Sequence, residues 1–113
     1  MTRGDVVEVD WYFTDMTGFK RRPAVVVQND ALNGLLDDTV LVQITGTRHG
    51  ISDTEVFLDP AVETASGLTK PCVASCLNVT TYEQARVHRT VGYLSDAAMR
   101  EIARCLKAVM ELP

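Results

Sequence analysis

The hydrophobic periodicity of the chain changes once, and this change limits the folds that the chain can adopt. Before residue 95 the apolar residues alternate or form short β-branched runs, as in residues 5–13 (DVVEVDWYF) and 24–27 (AVVV). Such patterns are typical of short strands. From residue 96 the apolar residues recur at helical spacing: Met99, Ile102, Leu106, Val109 and Met110. The sequence therefore predicts a mainly β fold that ends in an amphipathic helix over residues 96–111.

Further strands are predicted at residues 39–45, 54–59, 72–80 and 89–94. Between them we expect a polar loop over residues 14–22 that turns at Gly18, one short helical turn within residues 29–36, and a short polar segment over residues 82–87. Ser95 is placed to cap the terminal helix, and Asp96 complements its dipole. Five or six short strands followed by one helix indicate a small β-barrel closed by a C-terminal helix.

The length of 113 residues suffices for one hydrophobic core, so we expect a single domain over residues 1–113. Apolar runs stay well below the ~20 residues that a membrane-spanning helix needs, and the N-terminal residues lack the apolar core of a secretion signal. We therefore expect a cytoplasmic protein that does not associate with membranes.

Three cysteines, an odd number, fit a reducing compartment better than a set of disulfides. Cys72 and Cys76 lie four residues apart in a predicted strand, so their side chains share a face. We expect buried, unreactive thiols there. The alternative is a thiol or zinc site completed by His49 or His88, but zinc ligands usually have tighter paired spacing. The sequence predicts no metal and no cofactor.

The net charge of −4 argues against a protein that holds nucleic acid by bulk charge. Residues 23–71 carry most of the acidity, with seven acidic against two basic side chains. The one tight basic run, Lys20-Arg21-Arg22, lies just before them, and any anion-binding role must therefore be local. Pro23 favours an extended backbone at Arg22, which would fix the guanidinium for a phosphate. A flexible basic loop tip without function is the equal alternative.

Two further side chains are candidates for chemistry. Thr45 ends a buried strand and opens a loop, where its hydroxyl can orient a phosphate or a sugar hydroxyl. His49 lies in a glycine-flanked loop, where it can act as an acid or a base or simply be solvated.

The sequence as a whole resembles the MazF/PemK family of toxin endoribonucleases. The resemblance rests on three blocks in matching order and spacing, and on a late segment with its closing helix. The blocks are residues 3–10 (RGDVVEVD), 20–30 (KRRPAVVVQND) and 42–45 (VQIT), and the late segment is residues 79–87. The first two blocks are specific only in combination.

This resemblance implies an SH3-like barrel that forms a homodimer and binds single-stranded RNA across the dimer groove. It also implies a cognate antitoxin whose tail occupies that groove. Members of the family cut RNA without a metal, giving a 2′,3′-cyclic phosphate and a 5′-hydroxyl. The family's catalytic arginine matches Arg22 and its catalytic threonine matches Thr45. Arginine is a poor base, so the group that removes the 2′-proton stays open.

This chain departs from the family pattern along the fifth strand. One branch uses an arginine and an aspartate there, whereas this chain has Ser75 and Leu77, which argues against that branch's mechanism. Thr80 stands where many members have an arginine, and Asn78 where many have a glutamine. With fewer cations, RNA binding should depend more on stacking and hydrogen bonds. Trp11 is a stacking candidate that also fits the core.

The candidate RNA contacts are the basic, aromatic and polar side chains of these blocks and loops: Phe19, Lys20, Arg21, Gln28, Asn29, His49 and Asn78. The main hypothesis is thus a sequence-specific, metal-independent endoribonuclease toxin. The rival hypothesis is a non-catalytic barrel that binds nucleic acid or an antitoxin-like peptide as a regulator, which the acidic balance and the missing late cations favour.

Overall fold

A computed structural model describes residues 1–113, which form one curled, six-stranded antiparallel sheet and two α-helices. The strands run β4-β5-β3-β2-β1-β6 across the sheet, so β4 and β6 are its edges. In chain order the elements are β1 (Asp5–Tyr12), β2 (Phe19–Val26), α1 (Asp30–Leu35), β3 (Asp38–Thr45), β4 (Glu55–Leu58), β5 (Cys72–Glu83), a short 3-10 helix (Gln84–Arg86), β6 (Arg89–Tyr93) and α2 (Asp96–Val109). The predicted mainly β, SH3-like small barrel with a C-terminal helix is confirmed, and its six strands curl into a half-barrel.

The predicted loop over residues 14–22 is wrong in its second half. Strand β2 begins at Phe19 and pairs with β1 in the register Phe19 to Tyr12 and Arg22 to Val9. The side chains of this stretch are mostly polar and give little strand signal of their own, and the strand forms by hairpin pairing with the preceding strand β1. The basic run therefore lies on a paired strand, and its backbone is fixed. Strand β1 conversely ends one residue earlier than predicted, since Phe13 lies beyond it and is partly exposed.

The sheet carries a hydrophobic core on each face. One core packs helix α2 against the sheet and contains Val6, Val25, Ile44 and Ile102. The other core, on the opposite face, is smaller and includes Val9, Trp11, Ala24 and Leu41. Adjacent residues of β2 supply both cores, which confirms that residues 24–26 are buried on both sides. Trp11 is thus a core residue.

Helix α2 begins where the sequence predicts it. The Ser95 hydroxyl accepts a hydrogen bond from the backbone N–H of Ala98 at 3.1 Å, and Ser95 is itself held by the buried carboxylate of Glu63. Ser95 donates to Glu63 through its backbone N–H at 2.7 Å and through its hydroxyl at 2.8 Å. The irregular segment over residues 59–71 is therefore tied to the start of α2. Neither helix is long and apolar enough to cross a membrane.

Strand β5 is longer than predicted because residues 81–83 continue its pairing with β3, and an irregularity divides it. Its register against β3 shifts between Val42 and Gln43, which pair with Val79 and Ser75 respectively. The three residues between Ser75 and Val79 are extra on the β5 side, and Leu77 among them points outward. The bulge lies inside the predicted strand and interrupts the alternation of its side chains.

Candidate active site

One surface cavity gathers most of the predicted basic residues. It has a volume of about 370 Å³ and is lined by five cationic side chains and a single carboxylate, that of Glu8. The cations are Lys20, Arg21, Arg22, Lys70 and Arg89. We call this space the cationic cavity. A chain with a net charge of −4 thus concentrates positive charge at one place, as a local anion site requires.

The cationic cavity lies where strands β2 and β3 stop pairing. Their ladder runs from Val26–Leu41 to Ala24–Gln43 and goes no further, although both strands continue. Beyond this point Arg22 and Thr45 face each other without a backbone ladder between them. Both side chains project from strands whose core residues are fully buried, so the core fixes their position.

Arg22 and Thr45 are in direct contact. Arg22 Nη1 donates to Thr45 Oγ1 at 3.4 Å, and the backbone N–H of Thr47 donates to the same oxygen at 3.2 Å. Because the threonine oxygen accepts two hydrogen bonds, its own O–H remains available to donate. Thr45 is only 6% exposed, so this hydroxyl is held in a largely desolvated position.

The guanidinium of Arg22 has no carboxylate partner, unlike its neighbours. Arg21 pairs with Glu8 and with Asp10, each at 3.8 Å, and Arg89 pairs with Glu8 at 3.5 Å. Arg22 makes one side-chain hydrogen bond, to Thr45, which leaves most of its N–H donors for an anion. Among the arginines of the cationic cavity it is the one that is free to bind a phosphate.

The sequence does not predict two of the cations in the cationic cavity. Lys70 lies in the irregular 59–71 segment and Arg89 opens β6, and nothing in either local pattern marks a site. Arg89 reaches the cavity because β6 pairs with β1, which places it opposite Glu8. Non-local pairing of this kind leaves no trace in a single sequence.

Gln28 and Asn29 lie apart from the cationic cavity and have structural partners. Gln28 Nε2 donates to Asn33 Oδ1 at 2.9 Å and to the backbone oxygen of Asp38 at 3.0 Å. Asn29 caps helix α1 by accepting from the N–H of Ala31 at 2.7 Å. These bonds explain both residues through the α1 turn, and an RNA contact by either remains a prediction.

His49, Asn78 and Phe19 also lie outside the cationic cavity. The backbone N–H of His49 donates to Glu55 Oε1 at 3.1 Å, and its ring is exposed. Asn78 donates to the buried Ser75 hydroxyl at 3.0 Å. Phe19 lies at the outer end of β2, with its ring centroid 5.3 Å from that of Tyr12. Each remains a predicted contact for a nucleotide further along an RNA strand.

A second cavity of about 370 Å³ lies beside the smaller core, between the end of β1 and the bulged part of β5. Asn78 and Arg86 line it, together with the exposed apolar side chains of Phe13, Met16 and Leu77. The Tyr12 hydroxyl accepts a hydrogen bond from Arg86 at 2.6 Å, which raises the pKa of Arg86. We call this surface the apolar cavity.

All three cysteines are buried, as predicted for Cys72 and Cys76, and none forms a disulfide. Desolvation raises the pKa of all three thiols, and for Cys76 the proximity of Cys105 adds to it, giving a pKa of about 12. No group of three His, Cys, Asp or Glu side chains is arranged to hold a metal ion.

The thiol of Cys76 should make stability fall at alkaline pH. Its pKa is about 12 in the folded chain and near 9 when unfolded, so the unfolded chain releases this proton first. The contribution is complete below pH 9 and is lost as the pH rises towards 12. Urea unfolding on both sides of pH 9 should show this decline, and Cys76→Ala should reduce it, leaving the smaller part that comes from Cys72 and Cys105. An equal decline in both proteins would assign it to other groups.

Comparison with known proteins shows the family to which this chain is similar. The model of the family described as PemK-like, MazF-like toxin of type II toxin-antitoxin system matches residues 2–110. A curated relative, Endoribonuclease MazF3 of Mycobacterium tuberculosis (strain CDC 1551 / Oshkosh), is 28% identical over 93 residues, which cover 82% of this chain and 85% of the relative.

Two solved structures have folds similar to that of this chain. An endoribonuclease in complex with its cognate antitoxin, from Mycobacterial species, superposes with a TM-score of 0.80 at 27% identity, covering 100% of this chain and 97% of the other. The MazE–MazF complex (Form-III) of Deinococcus radiodurans has a TM-score of 0.76 at 19% identity, with 100% and 98% covered. At that identity the second likeness concerns the fold alone.

Proposed function

The chain belongs to the family of PemK-like, MazF-like toxins of type II toxin-antitoxin systems, and on this premise we propose that it is an endoribonuclease that cuts single-stranded RNA at Arg22 and Thr45. The observation that carries the assignment to this site is the free guanidinium of Arg22 in contact with the Thr45 hydroxyl. The match to an endoribonuclease over 82% of the chain supports the reaction class.

The proposed reaction is a transesterification within the RNA. The 2′-hydroxyl oxygen attacks the adjacent phosphorus, the bond to the 5′-oxygen breaks, and a 2′,3′-cyclic phosphate and a 5′-hydroxyl result. Negative charge grows on the phosphate oxygens along this path. Arg22 offers several N–H donors to that charge from a fixed position, and such preorganised donors are the largest source of rate enhancement in many enzymes.

Thr45 positions the phosphate in this proposal. Its oxygen already accepts hydrogen bonds from Arg22 and Thr47, so its O–H is available to donate, and a phosphate oxygen next to Arg22 is a suitable acceptor. Holding the phosphate in line with the 2′-hydroxyl supplies part of the rate gain. Lys20, Lys70 and the paired arginines of the cationic cavity then bind the flanking phosphates.

We propose a cognate antitoxin and a homodimer as the assembly. One structural neighbour is an endoribonuclease with its cognate antitoxin. An acidic antitoxin segment would compete with RNA for the cationic cavity. A second copy would cover the apolar cavity, where Phe13, Met16 and Leu77 are exposed. A cytoplasmic location fits an RNA substrate.

Purified protein should cleave a mixed single-stranded RNA in the presence of EDTA. The products should carry 5′-hydroxyl ends, detected because they accept a label from polynucleotide kinase without phosphatase treatment. A substrate with 2′-deoxyribose at the mapped cut site should resist cleavage, because it lacks the attacking hydroxyl. A requirement for a divalent ion, or cleavage of the 2′-deoxy substrate at the same bond, would contradict the mechanism. Binding without turnover would favour the non-catalytic regulator.

A further inference from the structure

A second feature related to nucleic-acid binding lies on edge strand β4. Phe57 is 51% exposed there, and the guanidinium of Arg48 lies over its ring at 5.3 Å from the centroid. Arg48 has no carboxylate partner, so the ring is its main contact. We call these two side chains the Phe57 platform. A half-exposed ring with a stacked arginine offers both of the elements that bind an unpaired base.

The register of the sheet places the Phe57 platform in line with the catalytic pair. Phe57 is paired with Val73 across β4 and β5, and Val73 is paired with Thr45 across β5 and β3. Paired residues of antiparallel strands project to the same face, so Phe57, Val73 and Thr45 form one row. Arg22 continues this row on β2, where it contacts Thr45.

The row also gives the distance between the Phe57 platform and the catalytic pair. Neighbouring strands are separated by about 4.8 Å, so two strand spacings place the Phe57 backbone about 10 Å from that of Thr45. Val73 between them is fully buried, so other protein atoms cover the middle of the row, and only its two ends are open to a ligand. A nucleotide strand with its phosphate at Arg22 and Thr45 can span this distance and bring a neighbouring base over Phe57.

We propose that Phe57 and Arg48 form a stacking site for one unpaired RNA base beside the cleaved phosphate. This inference rests on the proposed function and deepens it. The cations of the cationic cavity bind phosphates, which are the same in every sequence. The Phe57 platform instead contacts a base, so it contributes affinity at one nucleotide position next to the cut.

The other exposed aromatic residues lie away from the row. Tyr12 also has a stacked arginine, with Arg86 at 5.6 Å from its ring centroid, but it lies with Phe13 and Phe19 at the far end of the β1–β2 hairpin. Tyr93 lies on β6 at the opposite edge of the sheet. Tyr93 is 60% exposed and carries no stacked cation, which makes it the matched control for removal of an exposed ring from an edge strand.

The test is a binding series with single bases removed. The probe is a short fluorescent RNA around the cut site mapped for the wild type, with a 2′-O-methyl group that blocks turnover and with one base at a time replaced by an abasic ribose. Anisotropy should show that one abasic position next to the cut weakens wild-type binding about tenfold, as expected for one stacked base.

Variants of the protein test whether Phe57 contacts the base at that position. Phe57→Ala should bind the intact probe about tenfold more weakly and lose its sensitivity to the same abasic site. Arg48→Ala should show a smaller loss at that site, Phe57→Tyr should restore binding, and Tyr93→Ala should behave as wild type. Thermal melting checks that each variant is folded, and Phe57→Leu separates the loss of the ring from the loss of apolar bulk.

Three results would overturn the inference: full retention of the abasic pattern by Phe57→Ala, an effect of Phe57→Ala on antitoxin binding alone, or no binding of RNA by the wild type. The proposed function fails separately if the wild type binds RNA but cleaves none. In that case the same variants are compared on oligoadenylate, where Phe57→Ala must still bind about tenfold more weakly for the stacking site to stand.

Discussion

Replacing Arg22 by alanine should lower kcat on single-stranded RNA by about 1,000-fold or more, which is the loss seen when a fixed donor to a phosphoryl transition state is removed. The structural reason is the absence of any carboxylate partner on Arg22, combined with its contact to the Thr45 hydroxyl. Because the guanidinium stabilises charge that develops during the reaction, kcat should fall much more than KM rises. Single-turnover cleavage in EDTA measures the chemical step directly.

Arg21→Ala is the matched control, since the two arginines are adjacent on β2 and line the same cavity. Arg21 is engaged by Glu8 and Asp10, so its removal should weaken RNA binding several-fold and leave the chemical step nearly unchanged. Arg22→Lys keeps the charge but loses the planar fork, and it should recover little activity. Equal losses from Arg21→Ala and Arg22→Ala would show that the cavity acts by charge alone, and the catalytic assignment would then be wrong.

The sequence predicts the parts of this fold that depend on local periodicity. The spacing of Met99, Ile102 and Leu106 marks α2, and the run at residues 24–27 marks a strand buried on both faces. Both signals are local, because each residue's burial follows from its neighbours along the element. The cap at Ser95 is local as well, although its carboxylate partner Glu63 is not.

The features that the sequence misses all depend on contacts between different elements of the fold. The sequence predicts a loop at residues 19–22 because Gly18 and the charged side chains around it outweigh the strand signal. In the structure these residues pair with β1 and belong to strand β2. Lys70 and Arg89 join the cationic cavity only through the path of the 59–71 segment and the β1–β6 pairing. The sheet row that joins Phe57 to Thr45 needs two registers, which no periodicity specifies.

The resemblance to a family predicts Arg22 and Thr45 as the catalytic residues of the candidate site. The residues alone do not distinguish between a phosphate site and a loop tip without function at the basic run. The structure brings Arg22 and Thr45 together with Lys20 and Arg21. It does not bring Gln28 and Asn29 there, because their polar groups stabilise the α1 turn. An amide side chain can contact RNA or stabilise a turn equally well, so the residue type alone does not indicate which role Gln28 and Asn29 have.

Gly92→Ala should destabilise the protein by about 3 kcal/mol or more and lower its Tm by about 10 °C or more. A Cβ at Gly92 would overlap the carbonyl oxygen of Ala65 and the backbone of Ser66, which cannot move as a flexible side chain does. Tyr93 N–H donates to that same Ala65 oxygen at 2.9 Å, so the overlap would also strain a hydrogen bond between β6 and the 59–71 segment.

This close approach also links stability to the site, because the 59–71 segment carries Lys70 into the cationic cavity. Displacement of the segment should therefore weaken RNA binding in whatever Gly92→Ala protein remains folded, measured by anisotropy below its Tm. Gly34→Ala is the control for the same chemical change. A Cβ at Gly34 would meet no atom within 4 Å, and alanine is the better helix former in α1, so the Tm of this variant should stay equal or rise slightly. If the Gly92→Ala and Gly34→Ala variants had the same Tm, the 59–71 segment would have to be free to move away from β6. The contribution of Lys70 to the cavity would then not depend on this contact.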